Sequence, residues 1–79
     1  MLYRHWLKFH PDWPAKLGDL EGRQVRLLRA VATRGGDLYK KGDIMIVENT
    51  YRGRLQLALV PGGPTCIRGT NVRDVEILR

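Results

Sequence analysis

Cysteine is almost absent from this chain. The single Cys66 cannot form an intrachain disulfide, so no covalent staple supports the fold and cysteine usage gives no argument for secretion. Long apolar runs are missing too. No stretch approaches the ~20 residues needed to cross a bilayer, and the N-terminus, with Arg4 among its aromatics, has no signal-peptide h-region. Histidine is scarce: His5 and His10 are too far apart to share one helix face as ligands, so no metal site is expected. No P-loop, Rossmann glycine pattern or His-Glu-x-x-His occurs, and Cys66 has no specified histidine to make it a nucleophile. Together these absences predict one soluble, cytoplasmic domain with no membrane contact. They also predict no catalytic activity, no cofactor and no small-molecule substrate.

Acidic residues are the other shortage. Eight Asp and Glu stand against fourteen Lys and Arg, a net charge of +6 over 79 residues. Placement matters more than the sum. Before residue 23, Arg4, Lys8 and Lys16 are cancelled by Asp12, Asp19 and Glu21. The excess then gathers in Arg23, Arg26, Arg29, Arg34, Lys40, Lys41, Arg52 and Arg54, opposed only by Asp37, Asp43 and Glu48. An arginine-dominated excess attracts polyanions, because the guanidinium fork pairs a phosphate with two hydrogen bonds.

What the sequence does contain is strand signal, most clearly over residues 43–60. Leu55, Leu57 and Leu59 alternate with Gln56 and Ala58, the period of a half-buried strand. Upstream, Ile44-Met45-Ile46-Val47 is apolar on both faces, which places it mid-sheet. Gly53 supplies a positive φ for the turn between them, with Tyr51, Arg52 and Arg54 crowding the tip. Residues 24–33 form another strand. There Val25 and Leu27 share one face and Leu28 and Ala30 the other, a parity shift that predicts either a bulge near Leu27–Leu28 or a strongly bent strand passing from one half of the sheet to the other. After the breaker Pro61-Gly62-Gly63-Pro64, residues 65–68 form a fourth strand, residues 72–75 a single 3₁₀ turn, and residues 76–78 a fifth strand.

Residues 1–21 differ in character. Leu2, Trp6 and Phe9 recur at helical spacing over residues 1–10, ended by Pro11. Asp12 then predicts an N-cap for one turn over residues 13–17, with Gly18 as its stop. Helices this short do not survive alone, so the segment must dock on the rest of the chain. The chain thus divides into a helical, aromatic extension over 1–21 and the β portion of the domain over 22–79.

Five short strands with glycine turns and no long helix imply an all-β fold, a small closed sheet. The order of features over 22–78 resembles the small SH3-like barrels, including short SH3-like domains encoded by phages and mobile elements. The resemblance rests on Val-Arg-Leu-Leu-Arg, a long first loop, Lys-Gly-Asp-Ile-Met-Ile-Val, the hairpin Arg-Gly-Arg-Leu-Gln-Leu and the closing Asn-Val-Arg-Asp-Val-Glu-Ile-Leu. It implies a five-stranded SH3-like barrel behind a short N-terminal helical extension. It implies a binding role as well, but not a particular partner, because this fold hosts many.

Two partners fit the residues. The first is nucleic acid, DNA or RNA: Arg26, Arg29, Arg34, Lys40, Lys41, Arg52 and Arg54 would follow phosphates, and Tyr51 would stack on an exposed base. Strand parity sets Arg26 and Arg29 on opposite sides unless the chain bends between them. The second is a protein, including an acidic protein surface, met by Trp6, Phe9, Trp13, Tyr39 and Tyr51. The competing structural role for Trp6, Phe9 and Trp13 is to cap an open end of the barrel.

Overall fold

Val25 and Leu27 point inward while Gln24 and Arg26 point out, and that two-residue rhythm starts the sheet. A computed structural model describes residues 3–78. A short helix, α1 (Tyr3–Leu7), and a 3₁₀ turn (Leu17–Leu20) precede the strands. These are β1 (Gln24–Leu27), β2 (Val31–Ala32), β3 (Leu38–Tyr39), β4 (Ile44–Tyr51), β5 (Arg54–Ala58), β6 (Ile67–Thr70) and β7 (Val75–Ile77), with a second 3₁₀ turn (Val72–Asp74) before the last. Five of them form one antiparallel sheet in the order β6-β5-β4-β1-β7, and β2 and β3 pair separately. The fold is all-β. The closed sheet expected from the sequence is not seen: among the described residues no ladder joins β6 to β7, so these two are the edges of the large sheet.

β4 is the central strand, as its two-sided apolar run predicts. Met45 and Val47 are fully buried in the core, and Ile46 and its cross-strand partner Ala58 are buried on the opposite face. Leu55 and Leu57 join the core, but Leu59 is 56% exposed. Its alternation fails because β5 ends at Ala58 and the chain turns, with Gly63 N–H donating to Val60 O at 3.0 Å.

The single strand expected over residues 24–33, bulged or bent near Leu27–Leu28, is instead two strands in two sheets. β1 stops at Leu27 and the chain leaves the sheet, so Leu28 and Ala30, whose parity differs from that of Val25 and Leu27, lie exposed between β1 and β2 and belong to no strand. Irregularities fall elsewhere. In β4, Val47 and Asn49 oppose Leu57 and Gln56, leaving Glu48 as the extra residue. In β6, Arg68 and Gly69 together oppose Gln56, and Gly69 takes a φ of 69°, the left-handed glycine of a bulge. β6 also begins two residues later than expected, leaving Cys66 just ahead of it with its N–H on Leu57 O at 2.7 Å.

The N-terminal segment folds differently from its sequence signals. Met1 and Leu2, the start of the helix expected over residues 1–10, lie outside the described residues. α1 ends at Leu7, and successive turns carry the chain onward through Phe9 N–H to Trp6 O and Trp13 N–H to His10 O. The turn expected over 13–17 behind an Asp12 cap forms instead at Leu17–Leu20, with Gly18 inside it and no side-chain cap. The reason is burial: Trp13, Leu17 and Leu20 belong to the same core cluster as Val25, Leu27, Met45, Val47, Leu55, Leu57, Ile67, Val72 and Val75. Packing outweighs local capping preference here. Gly22 N–H to Val47 O at 2.8 Å and Val47 N–H to Arg23 O at 2.9 Å then lead the segment into β1.

Two predictions follow from this packing. Leu20→Ala lowers stability by about 2–5 kcal/mol, the cost of a core cavity, measured by urea unfolding. Arg52 sits at φ 51°, a left-handed conformation that a non-glycine residue adopts at a cost. Asparagine tolerates this conformation better, so Arg52→Asn raises the thermal midpoint by a few degrees in calorimetry.

Candidate functional site

Two adjoining clefts lie between β2, with the turns that flank it, and the edge strand β6. Val31, Ala32, Ile67 and Arg68 are common to both. The first, of about 540 Å³, extends to Arg34, Asp37 and Cys66. The second, of about 280 Å³, extends to Arg29, Arg54, Asn71 and Asp74. The pair forms one groove with Arg29, Arg34, Arg54 and Arg68 along it.

Each arginine arrives for a local reason. Arg29 lies in the bend after β1, where Leu28 N–H donates to Asp74 O at 2.8 Å, and its guanidinium stands 3.8 Å from the Asp74 carboxylate. That spacing is loose and Arg29 is well exposed, so the carboxylate orients the cation without consuming it. Arg54 opens β5 and its Nη1 donates to Gly69 O at 3.2 Å, crossing the bulge. Arg68 occupies that bulge, outside the regular ladder. Arg34 sits in the β2–β3 turn, which Thr33 closes: its Oγ1 accepts from Asp37 N–H at 3.2 Å. Thr70 also lines the second cleft. It is only 7% exposed, and its hydroxyl is buried with no hydrogen-bond partner among the described residues.

The remaining cations expected at the site go elsewhere. Arg26 points out from β1 and pairs with Glu76 directly across the β1–β7 ladder, at 2.8 Å. Parity alone would separate it from Arg29, and the break after Leu27 does not bring them together. Lys40 and Lys41 belong to the tight turn before β4, where Asp43 Oδ2 accepts the Lys40 N–H at 2.9 Å. Neither lysine lines the groove. Tyr51 and Arg52 stand at the β4–β5 hairpin tip, outside both clefts. Tyr51 reaches the groove indirectly, since its cross-strand partner is Arg54.

Arg68 was not expected. Its region adds little net charge, because Asp74 and Glu76 offset Arg68 and Arg73. The available signal was Gly69 beside it, which marks a bulge that turns a strand residue toward a rim.

The aromatics proposed as a protein-binding surface do not form a single surface. Trp6 stacks on His10 with centroids 3.5 Å apart, and meets Trp13 edge-on at 5.8 Å. Trp13 is buried and Trp6 packs against the core, whereas Phe9 is 81% exposed and apart from them. Tyr39 is half-buried beside Cys66. A hydrogen bond to the Cys66 side chain raises the Tyr39 phenol above its ordinary pKa of 10.0, and desolvation and the charges of Cys66 and Asp37 add to it. Tyr3 donates to Pro14 O, and its phenol is likewise raised, by burial first and by Asp19 second.

Among the described residues no cluster of three or more His, Cys, Asp or Glu could hold a metal ion. No helix among them is long and apolar enough to cross a membrane. No family model, curated protein or solved structure matches the chain.

The raised Tyr3 pKa gives a pH dependence with a definite sign. The unfolded chain ionises at 10.0 and the folded protein only above it, so this contribution is intact below pH 10 and is lost as pH rises through the folded value. Urea midpoints followed by tryptophan fluorescence fall above pH 10, and Tyr3→Phe shallows that fall.

Proposed function

We propose that this protein is a small basic binding module of the SH3-like barrel type that holds a nucleic-acid backbone along the groove between β2 and β6. What supports the barrel is the strand order β6-β5-β4-β1-β7, the long excursion after β1 and the 3₁₀ turn before β7. The long loop after the first strand and the closing segment that holds the 3₁₀ turn are among the features on which the sequence resemblance rests. The observation that carries the binding role is the meeting of Arg29, Arg54 and Arg68, from three separate chain segments, at one cleft that adjoins Arg34.

The chemistry is electrostatic. A guanidinium presents a planar fork of donors to two phosphate oxygens, and neutralising phosphates releases condensed counterions. Asp37 and Asp74 on the same rim limit the groove's net charge, which favours a backbone threaded between the arginines over indiscriminate adhesion to any anion. Phosphate contacts of this type carry no base information, so binding through the groove alone is independent of sequence.

Fluorescence anisotropy with labelled DNA and RNA across a salt series tests this. The logarithm of affinity falls linearly with the logarithm of salt. The double variant Arg54→Gln, Arg68→Gln binds more weakly, with a slope smaller by about 2. Lys16→Gln removes one positive charge at a residue that lines neither cleft, and keeps the wild-type slope. No binding at low salt, or equal losses per charge in all variants, overturns the proposal. In the first case the same arginines become candidates for an acidic protein surface.

A further inference from the structure

Tyr51 is the last residue of β4 and is 61% exposed. It is held more firmly than its exposure suggests. The next two residues, Arg52 and Gly53, have φ of 51° and 76° and join β4 to β5 in a two-residue turn. Successive positive φ values are the geometry whose twist matches that of a hairpin, so the tip is fixed by its strands. The Arg52 guanidinium lies 5.3 Å from the Tyr51 ring centroid, within cation–π range. A large flat ring therefore projects into solvent from a rigid base, with a cation against it.

Tyr51 also has a specific neighbour. Its register partner across the ladder is Arg54, and directly opposed residues share one face of a sheet. Arg54 is bound to Gly69 O and lines the same cleft as Arg29 and Arg68. One residue thus links an aromatic platform to a row of phosphate-binding cations. Alternation of stacking surface and guanidinium suits a strand whose bases are free to turn outward. In a duplex the bases are paired and stacked internally, and only the outer phosphates remain for the protein. The recess between β2 and β6 gives a rigid duplex no advantage.

We infer that the ligand of this groove is single-stranded nucleic acid, with a base stacked on Tyr51 while the adjoining phosphates lie on Arg54, Arg68 and Arg29. This rests on the nucleic-acid role proposed above and specifies its substrate class. Stacking of this kind tolerates any base, because each has a π face.

The test uses three labelled ligands at one fixed salt concentration: an oligothymidylate, an abasic strand of equal length, and a duplex. Wild-type protein binds the oligothymidylate at least about fivefold more tightly than the abasic strand, the lower end expected for one stacked base. It also prefers the oligothymidylate to the duplex. Tyr51→Leu abolishes the preference over the abasic strand yet keeps the salt slope, since no charge is lost, whereas Tyr51→Phe retains both. Unchanged thermal midpoints confirm that the exposed substitutions leave the fold intact. Equal binding of thymidylate and abasic strands, equal or tighter binding of duplex, or a preference that survives Tyr51→Leu overturns the inference. In those cases salt-dependent binding that still responds to Arg54 and Arg68 leaves the groove proposal standing. Binding of none of the three ligands overturns both.

Discussion

β4 hydrogen-bonds on both sides, to β1 through Ile44, Met45 and Ile46 and to β5 from Ile46 to Tyr51. Nearly everything else takes its position from this strand. Val47 is the tightest point: its side chain is fully buried, it pairs with Leu57, and its backbone exchanges bonds with Gly22 and Arg23. The N-terminal segment thereby enters the sheet and the core at one place. Beyond Val47 the extra residue Glu48 interrupts the ladder, and a bulge of this kind increases local twist. The hairpin tip with Tyr51 and Arg54 lies past that interruption, so one strand sets the core at one end and a basic, aromatic projection at the other.

Period-2 alternation located β5 as far as Ala58, and a run apolar on both faces located the first half of β4, because each kind of burial leaves a direct trace in the sequence. The 3₁₀ turn before β7 and the tight hairpin were legible from glycine and polar punctuation. Two classes of feature were not. The parity switch after Leu27 has the same sequence signature whether a strand bulges, bends or ends, and what distinguishes them is that Leu28 and Ala30 lie exposed between β1 and a separate β2 that pairs with β3. The placement of Trp13, Leu17 and Leu20 depends on long-range burial, which overrode the cap signal at Asp12.

Charge was legible as an excess but not as a surface. Cations close in sequence are dispersed here: Arg26 goes to Glu76, Lys40 and Lys41 to a turn, and Arg29 to the groove. Arg68, distant in sequence, joins Arg29 and Arg54. Composition sums along the chain, whereas a strand ladder brings together residues far apart in it, so a local excess says little about which cations share a ligand.

The bulge at Arg68 and Gly69 has a second consequence. β6 borders the large sheet, and an unguarded border with regular spacing is a template on which another chain can lay its own strand. Two residues set against one spoil that spacing, and a fixed positive charge at the same point repels an identical border approaching from a second molecule. The irregularity that brings Arg68 to the groove thus also discourages the protein from polymerising through its own margin.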